Sequence, residues 1–284
     1  MNYYNEHDPF AAAWLRGLIA AGLIPAGDVD KRSIEDVTPN DVAIYTSCHF
    51  FAGIGGWPYA LRLAGWPDDR PVWTGSAPCQ PFSTAGKGGG FADERHLWPA
   101  WFWLIRQCRP ATIFGEQVSS KDGLAWFGVV SADLEAQGYA VGAADLCAAG
   151  VGAPHIRQRL YFVADADRAS AARQRGDGGQ GETAQRIRSG FTNSGGMGNA
   201  ASDQKWQSRF AETSDGRKGA LRGPSAWSAV EYLPCLDGKA RPTQPGLQPL
   251  AHGVSARVGR LRGYGNAIVP PLAAEFIKAY QEAR

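Results

Sequence analysis

Apolar positions at helical spacing come first along the chain: Phe10, Trp14, Leu15, Leu18 and Ile19 share one face after an Asp8-Pro9 start, and Gly22 supplies a stop. The pattern predicts an amphipathic helix over residues 9–23. Residues 25–40 are polar and acidic, with Asp28, Asp30, Glu35 and Asp36, and an apolar run, Val42-Ala43-Ile44-Tyr45, then leads towards Phe51. Residues 1–45 therefore read as a helical extension. Cys48-His49-Phe50-Phe51 continues into Ala52-Gly53-Ile54-Gly55-Gly56, after which Tyr59, Ala60, Leu61 and Leu63 suit a helix. Strand, glycine turn, helix is the order of an α/β unit. The run Pro71 to Gly75 predicts another strand, as do Thr112-Ile113-Phe114 and residues 160–164, and Leu272 to Tyr280 predicts a final helix.

Between Asp165 and Trp227 the pattern is lost. Gly, Ser, Gln and Arg dominate, aliphatic residues nearly vanish, and basic residues outnumber acids. Arg173, Arg175, Arg186, Arg188, Lys205 and Arg209 stand there with Phe191, Trp206 and Phe210 between them, a mixture suited to phosphates and base edges, or to a flexible surface insert. Structure is expected to return at residues 227–236, and residues 242–249 read as an extended connection. A second basic cluster, Arg257, Arg260 and Arg262, precedes Gly265.

Composition narrows the classes. With 44% hydrophobic residues in 284 a sizeable core is possible, and a formal charge of +2 gives no strong global field, so a nucleic-acid partner must be met by local basic clusters. The five cysteines lie far apart with no Cys-x-x-Cys spacing, which argues against a disulfide framework or a zinc site. No metal is expected, and a reducing cytoplasm fits best. The first ten residues lack a basic-then-apolar signal and no apolar run approaches the ~18 residues of a membrane span, so no membrane partner is expected.

One cysteine stands apart from the others. Cys79 lies between prolines in Pro78-Cys79-Gln80-Pro81-Phe82-Ser83, directly after an apolar strand, and proline restricts both its own φ and the residue before it. That frame suits a nucleophile held on a preset loop better than a buried apolar thiol. The glycines of the 51–56 turn let a backbone approach a ligand closely, and the helix that follows offers free N–H groups.

With both stretches in hand, the chain resembles the DNA cytosine-carbon-5 methyltransferases. Their first motif is similar to Phe51-Ala52-Gly53-Ile54-Gly55-Gly56, and their catalytic motif to Pro78 through Ser83, continuing much like Ala85-Gly86-Lys87 and Gly90 to Arg95. Their Glu-Asn-Val motif resembles Glu116-Gln117-Val118, their Gln-x-Arg-x-Arg motif resembles His155 to Arg159, and their last motif resembles Gly265 to Pro270. The resemblance implies an α/β fold, a Rossmann-like methyltransferase sheet with helices on both faces and a small irregular target-recognition region. It divides the chain into the extension 1–45, a catalytic domain 46–164, a recognition region and connection 165–254, and a returning segment 255–284. It implies that Cys79, Glu116, Arg157 and Arg159 are catalytic. Phe51, Ala52, Gly53, Ile54, Gly55, Gly56, Asn266 and Ala267 would hold S-adenosylmethionine, and Gln80, Ser83, Lys87, Arg186 and Arg188 would meet double-stranded DNA. A monomer in the cytoplasm of a bacterium or phage-infected cell is the expected setting.

The chemistry follows from the base. Carbon 5 of cytosine is a poor nucleophile, and a thiolate added at carbon 6 turns the ring into an enamine that attacks a one-carbon electrophile. An acid with a raised pKa is needed at ring nitrogen 3, the expected role of Glu116. The resemblance gives Arg157 the ring carbonyl oxygen and Arg159 the cysteine loop or the phosphates. The cytosine must leave the duplex stack to be reached.

The departures matter as much. The family places two further strands between glycine turn and cysteine, with an acid for the ribose of the cofactor; here only one helix and one strand separate Gly56 from Pro78. A truncated sheet is therefore expected, with two outcomes: either the acidic extension replaces the lost edge, through Asp28, Asp30 or Glu35, or the donor is 5,10-methylenetetrahydrofolate and the product hydroxymethylcytosine. An RNA cytosine methyltransferase and a catalytically dead DNA-binding module are the remaining alternatives. Gln117 and His155 replace the family's asparagine and glutamine.

Overall fold

The first strand of the protein, β1, is only Asn2–Asn5, and all four residues are buried. In the computed structural model, which describes residues 1–78, 97–168, 231–234, 240–243 and 265–284, β1 is followed by helix α1 (Pro9–Ala20) and strand β2 (Gly27–Asp30). A one-turn helix α2 (Pro39–Val42) leads to β3 (Ser47–Phe50), helix α3 (Gly56–Leu63) and β4 (Val72–Gly75). Then come α4 (Trp98–Cys108), β5 (Thr112–Val118), α5 (Lys121–Ala136), β6 (Ala140–Cys147) and β7 (Gln158–Asp165). A hairpin, β8 (Glu231–Pro234) with β9 (Ala240–Thr243), and a last helix α6 (Pro270–Glu282) follow. A second compact unit, 172–228, lies outside the described residues.

Seven strands form one sheet in the order β2-β1-β3-β4-β5-β7-β6. β2, β1, β3, β4 and β5 run parallel, and β7 is antiparallel to both β5 and β6. The α/β sheet is as expected, but it is not truncated. The two outer positions beyond β3 are filled by β1 and β2, strands that precede the glycine turn in the chain instead of following it. Residues 1–45 are thus part of the sheet and not only a helical extension. Their strands left no apolar run because each is four residues long, and β2, at the sheet's edge, keeps Asp28 and Asp30 on its polar sequence.

Alternation along these strands sends side chains to two cores. Tyr3, Cys48, Phe50, Trp73, Ile113 and Phe162 face α2, α4 and α5, whose Trp98, Trp101, Leu104, Trp126 and Val130 close that side. Tyr4 faces the other way, towards Leu15 of α1 and Ile24. Along the same sheet face Trp57 stacks on Phe114, while Tyr161 meets Trp57 and both Trp66 and Tyr280 meet Phe114 edge to face, and α6 packs on α3. Gly75 has no room for a side chain, because a Cβ there would stand 2.6 Å from the Trp101 ring.

β1 is pinned by a buried polar chain. His49 of β3 is fully buried, its Nδ1 lies 2.8 Å from Thr74 Oγ1, its Nε2 lies 3.4 Å from the Asn2 amide nitrogen, and Tyr4 stacks on its ring. The amide NH₂ can only donate, so Nε2 accepts and Nδ1 carries the proton. Burial pushes the His49 pKa down to about 3, so the ring is neutral in the folded protein. An unfolded histidine titrates near ~6.5, so between these values the unfolded chain binds the extra proton and stability falls as pH falls. Lowering pH from 7 to 5 should cost about 2 kcal/mol through this residue. Urea unfolding at the two pH values should show that loss in the wild type and a flatter response in His49→Gln.

Candidate active site

The parallel strands end on one side of the sheet, and the turns leaving β1, β3, β4 and β5 meet there. The chain leaves β3 through Phe51, whose φ of 50° is left-handed, a conformation a bulky side chain rarely adopts and one that collects at functional turns. Gly55, at φ 82°, caps α3 in the same region of backbone space. A Cβ on Gly53 would meet nothing within 4 Å, so open space lies over the turn, whereas a Cβ on Gly56 would stand 2.7 Å from Ile268. The last motif is therefore packed directly on the glycine turn, with Asn266 exposed and Ala267 half-buried beside Ile268.

The turn after β1 delivers an acid to the same place. Glu6 Oε2 accepts from the Gly53 N–H at 2.6 Å and Oε1 from the Asp8 N–H at 2.8 Å. Burial raises its pKa, and the two backbone donors offset part of that rise. The three acids expected to replace the lost edge are engaged elsewhere. Asp28 accepts from Tyr45, Asp30 takes Tyr3 and Arg32, and Glu35 accepts from Ser33. Glu6 escaped notice because a lone acid after four residues carries little pattern. The signal available was order: Asn2 to Asn5, then Asp8-Pro9 opening a helix, repeats the strand, turn and helix of the glycine motif.

At the end of β5, Glu116 is 7% exposed and Arg159 Nε lies 2.9 Å from its Oε1. Burial raises the Glu116 pKa, while Arg159, a Ser76 hydrogen bond and Arg157 partly offset the rise. Sequence placed the acid at the tip of a strand ending near residue 114; the strand continues through it to Val118, because β7 pairs along its whole length. Arg159 is level with Val118 on β7, and its guanidinium goes to Glu116. Arg157 reaches the last motif instead, donating from Nη2 to the Gly265 carbonyl at 2.7 Å, and its buried Nε has no partner among the described residues. Gln117 is buried, with Nε2 donating to the Ala77 carbonyl at 3.3 Å, two residues before Cys79.

The structure thus brings together Phe51 through Gly56, Asn266, Ala267, Glu116, Arg157 and Arg159. Cys79, Gln80, Ser83, Lys87, Arg186 and Arg188 lie outside the described residues; β4 and Pro78 lead into the first of them. Among the described residues no cluster of His, Cys, Asp or Glu is arranged to hold a metal ion, and no helix is long and apolar enough to cross a membrane.

A family model of C-5 cytosine-specific DNA methylases matches residues 66–209. The chain belongs to that family. It is similar to the type II methyltransferase M.HaeII of Haemophilus aegyptius, 34% identical over 163 residues that cover 56% of this chain and 43% of the relative. The type II methyltransferase M.NgoBI of Neisseria gonorrhoeae is 33% identical over 103 residues, 35% of this chain and 32% of the relative. The chain thus spans less than half the length of either relative. Among solved structures, a DNMT2 variant of Spodoptera frugiperda is 19% identical with a TM-score of 0.39, covering 58% of this chain and 41% of its own.

Proposed function

We propose that this methylase transfers a methyl group to carbon 5 of cytosine in double-stranded DNA, with S-adenosylmethionine as donor and Cys79 as the nucleophile. The observation that carries the reading is Glu116: a buried carboxyl of raised pKa, on the strand beside β4, whose chain runs on through Pro78 to Cys79. Cys79 adds to carbon 6 of a cytosine turned out of the stack, and Glu116 gives its proton to ring nitrogen 3. Carbon 5 takes the methyl group, its own proton passes to water, the electron pair left behind expels the Cys79 thiolate, and ring nitrogen 3 returns its proton to Glu116 as the base is released. Arg159 holds the Glu116 carboxyl, a role that differs from the one expected for it. The Nε of Arg157, without a partner among the described residues, is a donor suited to the ring carbonyl oxygen, with Gln80, Ser83 and Lys87 meeting the DNA beside Cys79. Arg186 and Arg188 belong to its target-recognition region.

S-adenosylmethionine, when bound, supplies the electrophilic methyl group. The open space over Gly53, the amino end of α3 and the carboxylate of Glu6 fit its polar parts, with Phe51 to Gly56, Asn266 and Ala267 around them. Glu6 on the turn after β1 is the acid that would accept from the ribose hydroxyls. The folate reading rested on a missing sheet edge, and the presence of β1 and β2 removes its motive.

Mass spectrometry of nucleosides from DNA incubated with the protein and S-adenosylmethionine should find 5-methylcytosine. Hydroxymethylcytosine formed only with a methylene folate would overturn the donor. Glu6→Gln should weaken S-adenosylmethionine binding in calorimetry by roughly tenfold to a hundredfold, since charge-assisted bonds contribute ~1.5–3 kcal/mol. Wild-type affinity should also fall as pH drops through the raised Glu6 pKa, because the protonated carboxyl loses its charge as an acceptor; Glu6→Gln should lack that dependence.

A further inference from the structure

Glu116 does not meet Arg159 alone. Gly75 of β4 is paired with Gly115 of the parallel strand β5, so the next residues, Ser76 and Glu116, come level at the strand ends. Level residues on paired strands project to the same face, so the Ser76 hydroxyl is placed to donate to the Glu116 carboxyl, and its side chain offsets part of the rise in the Glu116 pKa. On its other side Ser76 Oγ lies 3.1 Å from Trp57 Nε1. That indole is itself fixed, stacked on Phe114 with centroids 6.1 Å apart and edge-on to Tyr161 at 6.0 Å.

The direction of these bonds is set by chemistry. An indole N–H donates and cannot accept, so Ser76 Oγ accepts from Trp57, and the single proton of the hydroxyl remains for Glu116. Arg159 Nε is likewise only a donor. Arg159 Nε, 2.9 Å from Oε1, and the Ser76 hydroxyl thus both face the carboxyl as donors, and a proton bound to Glu116 sits on a site that neither of them faces.

We propose that Ser76, oriented by Trp57, is a positioning residue that holds the Glu116 carboxyl so that its proton is presented away from the sheet, towards the base. The proposal rests on the role given to Glu116 in the function above. Among the described residues, the charged and titratable groups facing this carboxyl are Arg159 and Tyr161 on β7 and Arg157 just before it; the Trp57–Ser76 pair adds an uncharged donor to them.

Infrared difference spectroscopy against Glu116→Gln reads the titration of this carboxyl whether or not the protein methylates DNA. Ser76→Ala removes a donor to the anion and should raise the midpoint by roughly one pH unit. Trp57→Phe keeps the stacking but frees the hydroxyl to turn, and should raise it by less, while Ser76→Thr should leave it near wild type. The high-pH decline of methyl transfer should move upward with the midpoint. An unmoved midpoint in Ser76→Ala, with or without loss of product, overturns the proposal. A moved midpoint in a protein that forms no methylcytosine upholds the positioning and overturns only the methylation reading.

Discussion

Replacing Cys79 by serine is expected to abolish product while leaving DNA binding intact. A serine hydroxyl near neutral pH is a far weaker nucleophile than a thiolate, and without addition at carbon 6 the ring carbon that must attack stays unreactive. The loss should exceed that of any other single replacement, because addition at carbon 6 is the step from which the enamine arises. DNA retained in a gel-shift assay, together with absence of methylcytosine by mass spectrometry, checks both halves. A 5-fluorocytosine substrate sharpens the test: fluorine cannot leave as a proton does, so wild-type protein should be trapped on DNA and Cys79→Ser should not. Full turnover by Cys79→Ser would remove the cysteine from the mechanism.

The second large effect is expected at Glu116. Glu116→Gln keeps shape and hydrogen bonding but has no acidic proton, and general acid catalysis typically contributes ~10²–10⁴-fold. The loss should fall mainly on the rate of methyl transfer at saturating substrate, with a smaller effect on DNA affinity. The pH dependence has a definite sign. Burial raises the Glu116 pKa, so the acid form persists to higher pH than for an exposed glutamate, and the wild-type rate should fall as pH rises through that value. Glu116→Gln should lose that decline. A variant with the wild-type rate at every pH would separate Glu116 from proton transfer.

The glycine turn, Cys79 between its prolines, the acid at 116 and the arginines at 157 and 159 were all legible, because each chemistry needs particular side chains at fixed local spacing. Helix α1 was legible from five apolar residues at helical period. The strands beside it were not. β1 is a buried four-residue strand and β2 a polar edge strand, and neither is long enough to establish a period against the turns around it. Counting elements between Gly56 and Pro78 therefore led to a sheet short of two strands, although both were present earlier in the chain.

Sequence by itself determined the family and the order of its motifs, and it named the side chains on which the proposed covalent chemistry rests, since that chemistry depends on side-chain identity. Tertiary structure alone decided which acid meets the glycine turn, which partner Arg159 takes and how Ser76 comes beside Glu116. Each of these depends on strand neighbours far apart in sequence. Glu6 meets Gly53 only because β1 lies against β3, and Ser76 meets Glu116 only because Gly75 and Gly115 are in register. Strand pairing is set by which buried faces fit together, through His49, Thr74 and Asn2 in one place and Trp57, Phe114 and Tyr161 in another, and no local spacing encodes that fit.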